Sequence, residues 1–492
     1  MMHARPAVLI AFLAGATALL VTACATNPVS GKSEMALMSE AEEIATGKKL
    51  HVQVTQQMGV YDDPALADYV QELGTRLAKS SHRPNLDWHF TVVDTDDVNA
   101  FALPGGYVYI SRGILPYLNS EAELAAVLGH EIGHVTARHS VQQQSQSTVA
   151  GVAAAAAAIL TGQQAVGELA NYAGTALIRG YGREDELEAD RLGAEYLART
   201  AYDPDAIIEV VTVLKDQEMF ERELARAEGR EPRIYHGVFS THPDNDTRLK
   251  QAIAAAHKVE GAATGQVANR ETFLKITEGL AIGSSRNQGM VRGNRLYHAG
   301  FQMTMAFPQG WQVVNEPQRM LAVAPDKNSY LEVTAQGAPA GVTNARDFLT
   351  RALANQSLTG AQQLNANGLD GYAVVARGQK TPFGTGNVRY AVVNFNNLMW
   401  IFRGASRGQT DVPAADGLIL STAQTLRRLK DNEFALAEPY KLRLVRAREG
   451  TRIEDLAKDS PLKGNAVQQL RLMNDLYPDR QPKAGDWVKV VR

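Results

Sequence analysis

Cysteine is almost absent from this 492-residue sequence, whose one thiol is that of Cys24. A single thiol cannot form an internal disulfide, and it cannot build a zinc site from cysteines. Any metal site in the chain would therefore have to use histidine, aspartate or glutamate side chains.

An excess of basic residues is also lacking. The 50 Lys and Arg residues are balanced by 53 Asp and Glu residues, so the formal net charge is −3. Because binding to nucleic-acid phosphates requires a clustered basic surplus, no nucleic acid is expected as the main partner. The hydrophobic fraction of 45% is typical of globular proteins, and the length corresponds to about three domains.

Long apolar runs are missing beyond residue 24. No stretch there reaches the roughly 20 apolar residues that a membrane-spanning helix needs. The alanine-rich segment 149–160 comes nearest, but it is too short and only weakly hydrophobic. It predicts a buried helix, and a helix that touches a membrane surface is the alternative.

The first 24 residues are typical of a targeting segment. Arg5 precedes an uncharged apolar stretch over 7–23, which ends in Val21-Thr22-Ala23-Cys24. This layout predicts a secretory signal peptide. Its end resembles a bacterial lipobox, which implies a lipid anchor at Cys24 and contact with a membrane. The resemblance to bacterial lipoproteins also implies the periplasmic face of the outer membrane, because Ala25 stands where an aspartate would favour retention at the inner membrane. The alternative is an ordinary signal peptide with an incidental cysteine.

We expect an α+β multidomain fold after a signal peptide over 1–24. Residues 25–262 are predicted to form a mainly helical domain, because apolar positions recur at helix spacing before a short stretch of strand patterns. Residues 263–432 are rich in strand patterns and resemble the small PsbP-like α+β modules.

Residues 436–492 are predicted to form a separate β-α-α-β unit. Strand patterns over 442–445 and 486–491 enclose two short helical stretches. This order, with an L-x-x-x-N ending of the second helix, resembles a LysM fold. The resemblance implies binding to peptidoglycan, and the alternative is a structural cap without affinity for glycans.

The chemistry of the chain centres on the pentad His130-Glu131-Ile132-Gly133-His134. Ser120 and Glu123 give the preceding residues the pattern of a helix N-terminus. On a helix, positions four apart project from one face, so the two imidazoles can bind one Zn²⁺ while Glu131 faces the reacting water. Two solvated or core histidines are the alternative.

An acidic stretch follows downstream and reads Glu184-Asp185-Glu186-Leu187-Glu188-Ala189-Asp190. Catalytic zinc sites use three protein ligands, so one of these carboxylates can supply the third. A carboxylate four residues later lies on the same face and can accept the free N–H of a ligating histidine. Glu186 with Asp190 meets this spacing. Glu184 with Glu188 is a competing pair that a charged, solvent-facing helix would explain equally well.

Four segments together resemble the gluzincin metallopeptidases of the HtpX and CAAX-protease clan, in particular its periplasmic BepA-like branch. They are Asn99-Ala100-Phe101-Ala102-Leu103-Pro104-Gly105-Gly106, His130 to His134, Glu186 to Asp190, and Ser240-Thr241-His242-Pro243 followed by Arg248. The resemblance implies a zincin fold with one Zn²⁺ per subunit. The zinc ligands that it implies are His130, His134 and Glu186. Glu131 would be the general base, and Asp190 would accept a hydrogen bond from a ligating histidine.

The same resemblance places His242 and Arg248 near the cleft. Either side chain can donate to the oxyanion of the transition state. His242 can instead fill the open metal position and keep the enzyme latent, or it can merely cap a turn. The branch carries a tetratricopeptide domain where this chain has its two C-terminal units, so partners are not carried over.

The sequence therefore predicts a zinc endopeptidase that acts on misfolded or unassembled envelope proteins. The hairpin over 101–110 would offer an edge strand to an extended, unfolded substrate. The alternative is a latent, mainly non-proteolytic chaperone or a cell-wall-associated adaptor. A membrane-embedded protease of the CAAX type is disfavoured, because the necessary apolar spans are missing.

Overall fold

A computed structural model describes most of the chain. The described residues are 24–148, 181–229, 232, 250, 253–254, 256–257, 268–316, 318–408, 411–462 and 464–492. The predicted signal segment up to residue 23, the alanine-rich segment 149–160, His242 and Arg248 lie outside them. Within the described part, none of the helices combines the length and apolar character that crossing a bilayer requires.

Helices and strands are numbered in chain order. The helices are α1 Glu40–Met58, α2 Pro64–Lys79, α3 Glu121–Thr136, α4 Arg183–Arg199, α5 Ala206–Glu228, α6 Arg270–Thr277, α7 Ala345–Ala352, α8 Asp416–Gln424, α9 Ile453–Lys458 and α10 Ala466–Met473. The strands up to residue 306 are β1 Cys24–Thr26, β2 Ser33–Met35, β3 His89–Val93, β4 Ala100–Leu103, β5 Tyr107–Ser111, β6 Ala281–Ile282, β7 Met290–Arg292, β8 Arg295–His298 and β9 Met303–Ala306. The later strands are β10 Gln312–Asn315, β11 Met320–Val323, β12 Ser329–Gly337, β13 Leu358–Ala366, β14 Leu369–Thr381, β15 Gly384–Phe395, β16 Leu398–Ser406, β17 Arg427–Arg428, β18 Tyr440–Arg446 and β19 Trp487–Val491.

The chain divides into two compact units. One consists of residues 1–280 together with 441–492, and the other consists of residues 281–440. The mixed α and β content agrees with the multidomain α+β prediction. The domain boundaries at 262, 432 and 436 stay predictions.

Helix α3 lies at the centre of the first unit. All of its residues are buried, because apolar side chains occupy every face and α2, α4, α5 and β4 pack around it. The helix begins at Ser120, whose hydroxyl accepts from the Glu123 backbone N–H at 3.1 Å. The Glu123 carboxylate reaches back to the backbone N–H of Asn119 at 2.8 Å. The predicted helix start at Ser120 is therefore confirmed.

A three-stranded sheet lies beside α3 in the order β3-β5-β4. Strand β5 runs parallel to β3 and antiparallel to β4, so β4 forms one edge of the sheet. The turn between β4 and β5 needs glycine, because Gly105 and Gly106 have φ values of +80° and +99°. A Cβ atom at Gly105 would also lie 2.7 Å from the Ile44 Cα atom.

The C-terminal segment of the first unit has the predicted β-α-α-β order. Strands β18 and β19 pair in antiparallel fashion, and α10 packs against α5. From β19, the fully buried Lys489 donates to the carbonyl oxygens of Pro116 and Leu118 at 2.6 and 2.7 Å. This segment therefore holds the chain that leads into α3. Its assignment as a LysM unit stays a prediction.

The second unit is built on an antiparallel sheet of seven strands. Their order is β10-β11-β12-β16-β15-β14-β13, and a smaller sheet has the order β17-β9-β8-β7. Helix α7 packs on β14 and β15, and α8 packs on β15 and β16. Separate apolar clusters around Phe348 and around Phe402 and Ile419 form the core.

Candidate active site

Three predicted ligands from two helices meet in one cluster. His130 and His134 project from α3, and Glu186 projects from the first turns of α4. The His130 and His134 Nε2 atoms are 3.0 Å apart, and the Glu186 carboxylate lies 3.5 Å from the first and 3.9 Å from the second. All candidate ligand atoms lie within 4.8 Å of one another.

The donor set fits a catalytic zinc ion. Two imidazole nitrogens and one carboxylate oxygen are the three protein ligands of one class of catalytic zinc site. Bonds of about 2.0–2.1 Å in tetrahedral geometry would place such ligand atoms roughly 3.3 Å apart. The separations of 3.0, 3.5 and 3.9 Å are close to this value, so small side-chain shifts would suffice.

Asp190 fixes the orientation of the first imidazole. The His130 Nδ1 atom lies 2.8 Å from the Asp190 carboxylate, one turn after Glu186 on α4. An ionised carboxylate only accepts hydrogen bonds, so we assign the imidazole proton to Nδ1. Binding of a zinc ion would require His130 to lose its Nε2 proton, and its Nε2 lone pair would then be directed at the cluster.

The side chains of the cluster have pKa values shifted in different directions. Burial acts to lower the pKa of His130, but hydrogen bonds and charges of Asp190 and Glu186 outweigh it and raise this pKa to about 10. Burial and the neighbouring imidazoles hold the pKa of His134 well below its ordinary value. Burial raises the pKa of Glu131 to about 7. Such divergence is typical of sites that transfer protons.

Two residues of the site were not found by sequence reasoning. Tyr181 stacks on the His134 imidazole with ring centroids 4.0 Å apart, and its hydroxyl contacts the Ser140 hydroxyl at 2.7 Å. His139 contacts the ring nitrogen of His134 that does not face the cluster, and the two Nδ1 atoms are 2.9 Å apart. His139 follows the pentad closely in the sequence, but no spacing rule for zinc ligands pointed to it.

The competing acidic pair is not at the cluster. Glu184 is exposed, whereas Glu188 is half-buried and its carboxylate lies 3.4 Å from the His139 Nε2 atom. Glu186 and Asp190 are the pair that faces the imidazoles of α3.

Glycines let the two ligand-bearing helices approach each other closely. A Cβ atom at Gly193 of α4 would lie 3.1 Å from the His130 backbone nitrogen. A Cβ atom at Gly133 of α3 would lie 2.9 Å from the Ala189 carbonyl oxygen. Because both contacts are with backbone atoms, larger residues would force the helices apart.

A second group of potential ligands lies elsewhere in the described residues. It consists of Asp203, Asp205 and His257. These side chains are more exposed than the cluster on α3 and α4, with solvent-accessible fractions of 26, 56 and 39%. Exposed acidic groups commonly occur without a metal, so this group is not assigned a site.

Comparison with known proteins finds similarity to peptidases. The sequence model of peptidase family M48 matches residues 64–256, which contain the cluster. The beta-barrel assembly-enhancing protease of Escherichia coli K12 is 28% identical over 279 residues, which are 55% of this chain and 53% of that protein. The Yersinia pestis protein of the same name is 32% identical over 242 residues, covering 47% of this chain and 48% of the relative.

Further similarity extends to a mitochondrial enzyme. The mitochondrial metalloendopeptidase OMA1 of Schizosaccharomyces pombe is 32% identical over 185 residues, which are 37% of this chain and 51% of that protein. The chain thus spans about half the length of these curated relatives. Among solved structures, cyanobacterial PsbP from Synechocystis covers 29% of this chain at 14% identity, but its TM-score of 0.21 supports no assignment of fold.

Proposed function

We propose that this chain, which carries a peptidase family M48 domain over residues 64–256, is a zinc-dependent endopeptidase. The cluster of His130, His134 and Glu186 carries the proposal, because its donor atoms converge from two helices in the arrangement of a catalytic zinc site. The pairing of Asp190 with His130 supports it, because ligating histidines usually donate their other N–H to a carboxylate.

Each residue has a distinct role in the proposed reaction. His130, His134 and Glu186 would hold the Zn²⁺, which when bound lowers the pKa of water and polarises the scissile carbonyl. Glu131 would take a proton from the attacking water and pass it to the leaving nitrogen. Its pKa of about 7 suits a group that must both accept and release a proton near neutral pH.

His242 and Arg248 remain candidates for the oxyanion-stabilising donor. Replacing His242 by alanine distinguishes the possible roles of His242. Cleavage would fall if His242 donates to the oxyanion, since one such donor contributes about 10²–10³ in rate. Cleavage would rise if His242 blocks the open metal position, and it would not change if His242 only caps a turn.

We propose unfolded or unassembled envelope proteins as the substrates. The names of the two bacterial relatives refer to assembly of β-barrels, and the edge position of β4 suits pairing with an extended chain. A lipid anchor at Cys24 would hold the enzyme on the periplasmic face of the outer membrane. A Cys24→Ser variant should then move from the membrane fraction to the soluble periplasmic fraction.

Peptidoglycan binding by the C-terminal segment is the remaining part of this proposal. The segment has the predicted β-α-α-β order, which supports a LysM-like unit. Sedimentation of the full chain with purified peptidoglycan tests this binding. Protein that stays in the supernatant would favour a structural cap.

Degradation of casein tests the enzymatic proposal directly. Glu131→Gln should lose cleavage by at least 10²-fold, the usual contribution of a positioned acid–base group, and should still bind zinc. Glu184→Gln is the matched control, because Glu184 is an exposed carboxylate on the same helix as Glu186. Equal cleavage by wild type and Glu131→Gln would refute the proposal.

One observation favours the latent, non-proteolytic alternative. His130, Glu131 and His134 are only 1, 3 and 2% exposed. Tyr181 stacks on the His134 imidazole and contributes to this burial. Zinc binding without cleavage by the wild type would support a chaperone or adaptor with a closed site.

A further inference from the structure

We infer that His139 is a positioning residue that fixes the tautomer and orientation of His134, acting together with Glu188. The inference rests on the proposed zinc site. It assigns a role to a histidine and a carboxylate that the proposed reaction does not otherwise use.

The hydrogen-bonding requirement comes from the contact between two imidazoles. The Nδ1 atoms of His134 and His139 are 2.9 Å apart, so one must carry the proton and the other must accept it. The His134 Nε2 atom lies in the ligand cluster, where it must present a lone pair. The proton of neutral His134 therefore lies on its Nδ1 atom, which donates a hydrogen bond to the Nδ1 atom of His139.

This assignment determines the tautomer of His139. With its Nδ1 atom as acceptor, a neutral His139 carries its own proton on Nε2. That atom lies 3.4 Å from the Glu188 carboxylate and 3.9 Å from the Asp185 carboxylate. Only Glu188 is within hydrogen-bond distance and can accept from Nε2, so a consistent chain of donors runs from His134 through His139 to Glu188 of α4.

The two histidine ligands are thereby supported in parallel ways. Asp190 accepts a hydrogen bond directly from His130. Glu188 accepts a hydrogen bond from His139, which in turn accepts one from His134. This arrangement explains why α4 presents carboxylates on more than one face around Glu186. Glu184 and Glu188, the competing pair of the sequence analysis, therefore differ: Glu184 is exposed to solvent, whereas Glu188 contacts His139.

The backbone is shaped to bring His139 to this position. Helix α3 ends at Thr136, and Arg138 has a φ of +61°, a conformation that costs a non-glycine residue free energy. The Arg138 side chain offsets this cost by donating to Glu43 at 2.8 Å and to the Met38 carbonyl at 2.9 Å. His139 follows this turn directly and lies buried against the imidazole of His134.

Zinc affinity of the purified full chain tests the inference. The dissociation constant is measured by competition with a chromophoric chelator. His139→Leu removes both hydrogen bonds at similar volume, and we expect zinc affinity to fall roughly 10- to 100-fold, as for other partners of metal-bound histidines. His139→Asn places an acceptor oxygen where Nδ1 was and should recover most of the affinity. Glu188→Gln should give a smaller loss, and Glu184→Gln none.

Thermal unfolding of the zinc-free variants separates positioning from general structural damage. The inference predicts that His139→Asn and wild type unfold at similar temperatures, while His139→Leu still folds and binds zinc weakly. A second readout is the ¹⁵N spectrum of the histidine rings. In zinc-free protein, His134 should carry its proton on Nδ1 in wild type and lose that preference in His139→Leu.

The results also distinguish this inference from the proposed function. If His130→Ala abolishes zinc binding while His139→Leu binds zinc within twofold of wild type, His139 is not a positioning residue although the zinc site stands. If wild type binds no zinc, both are refuted. If His139→Asn is as weak as His139→Leu, the acceptor role assigned to His139 is wrong.

Discussion

Replacement of Gly193 by alanine tests whether close packing of α3 against α4 sets the geometry of the ligand cluster. Gly193 lies two turns after Glu186 on the same helix face. Its Cβ atom would lie 3.1 Å from the backbone nitrogen of His130 and 3.2 Å from the carbonyl carbon of Gly129. Ordinary carbon contacts are about 3.5–4.0 Å, so the helices would have to separate by several tenths of an ångström.

Two opposing effects determine the magnitude. Alanine in a helix interior is roughly 0.5–1 kcal/mol more favourable than glycine. Overpacking a tight contact costs about 1–3 kcal/mol, so we expect a net loss of about 1 kcal/mol in the free energy of unfolding. The same strain, if relieved by a shift of Glu186 away from the imidazoles, would weaken zinc binding by a factor of roughly five to 150.

Urea unfolding and zinc competition measure the two effects. Gly417→Ala is the control, because Gly417 lies on α8 and its Cβ atom would meet nothing within 4 Å. It should cause no loss of stability and no change in zinc affinity. If Gly193→Ala stabilises the protein and leaves zinc affinity unchanged, close contact between α3 and α4 does not set the geometry of the cluster. The packing argument is then refuted.

Two further predictions concern groups outside the cluster. Lys489→Met would leave the buried carbonyl oxygens of Pro116 and Leu118 without their donor, so urea unfolding should show a loss of roughly 2–4 kcal/mol; a loss below 0.5 kcal/mol would contradict this. The Arg427 guanidinium lowers the pKa of Glu433 to about 2 from an ordinary value of 4.5, so this carboxylate stabilises the fold above pH 4.5 and loses that contribution as the pH falls towards 2. The difference in melting temperature between wild type and Glu433→Gln should therefore shrink over that window, and a difference independent of pH would rule out the ion pair as its cause.

Local signals predicted the elements that carry the chemistry. The start of α3 at Ser120 follows from a hydroxyl that caps a helix and a glutamate three residues later. The turn at Gly105 follows from the Pro-Gly-Gly sequence, because glycine adopts the positive φ values found there. The approach of Glu186 and Asp190 to His130 agrees with the four-residue spacing on one helix face.

Features that depend on distant contacts could not be predicted in this way. His139 reaches His134 through the turn at Arg138, and the groups that hold Arg138 lie about 100 residues earlier. Lys489 would be expected on a surface, since an isolated lysine is rarely buried, yet carbonyl oxygens more than 370 residues away accept its hydrogen bonds. No periodicity or motif encodes such pairings, since they arise only when the elements pack.

Metal content of the purified chain tests the central claim, that three side chains from two helices form one zinc site. The measurement compares wild type, Glu186→Ala and Glu184→Ala, because these two carboxylates lie two residues apart on α4 and only Glu186 faces the imidazoles. We predict about one zinc per chain in wild type and Glu184→Ala, and a large loss in Glu186→Ala. Absence of zinc from the wild type, or its retention in Glu186→Ala, would contradict the account.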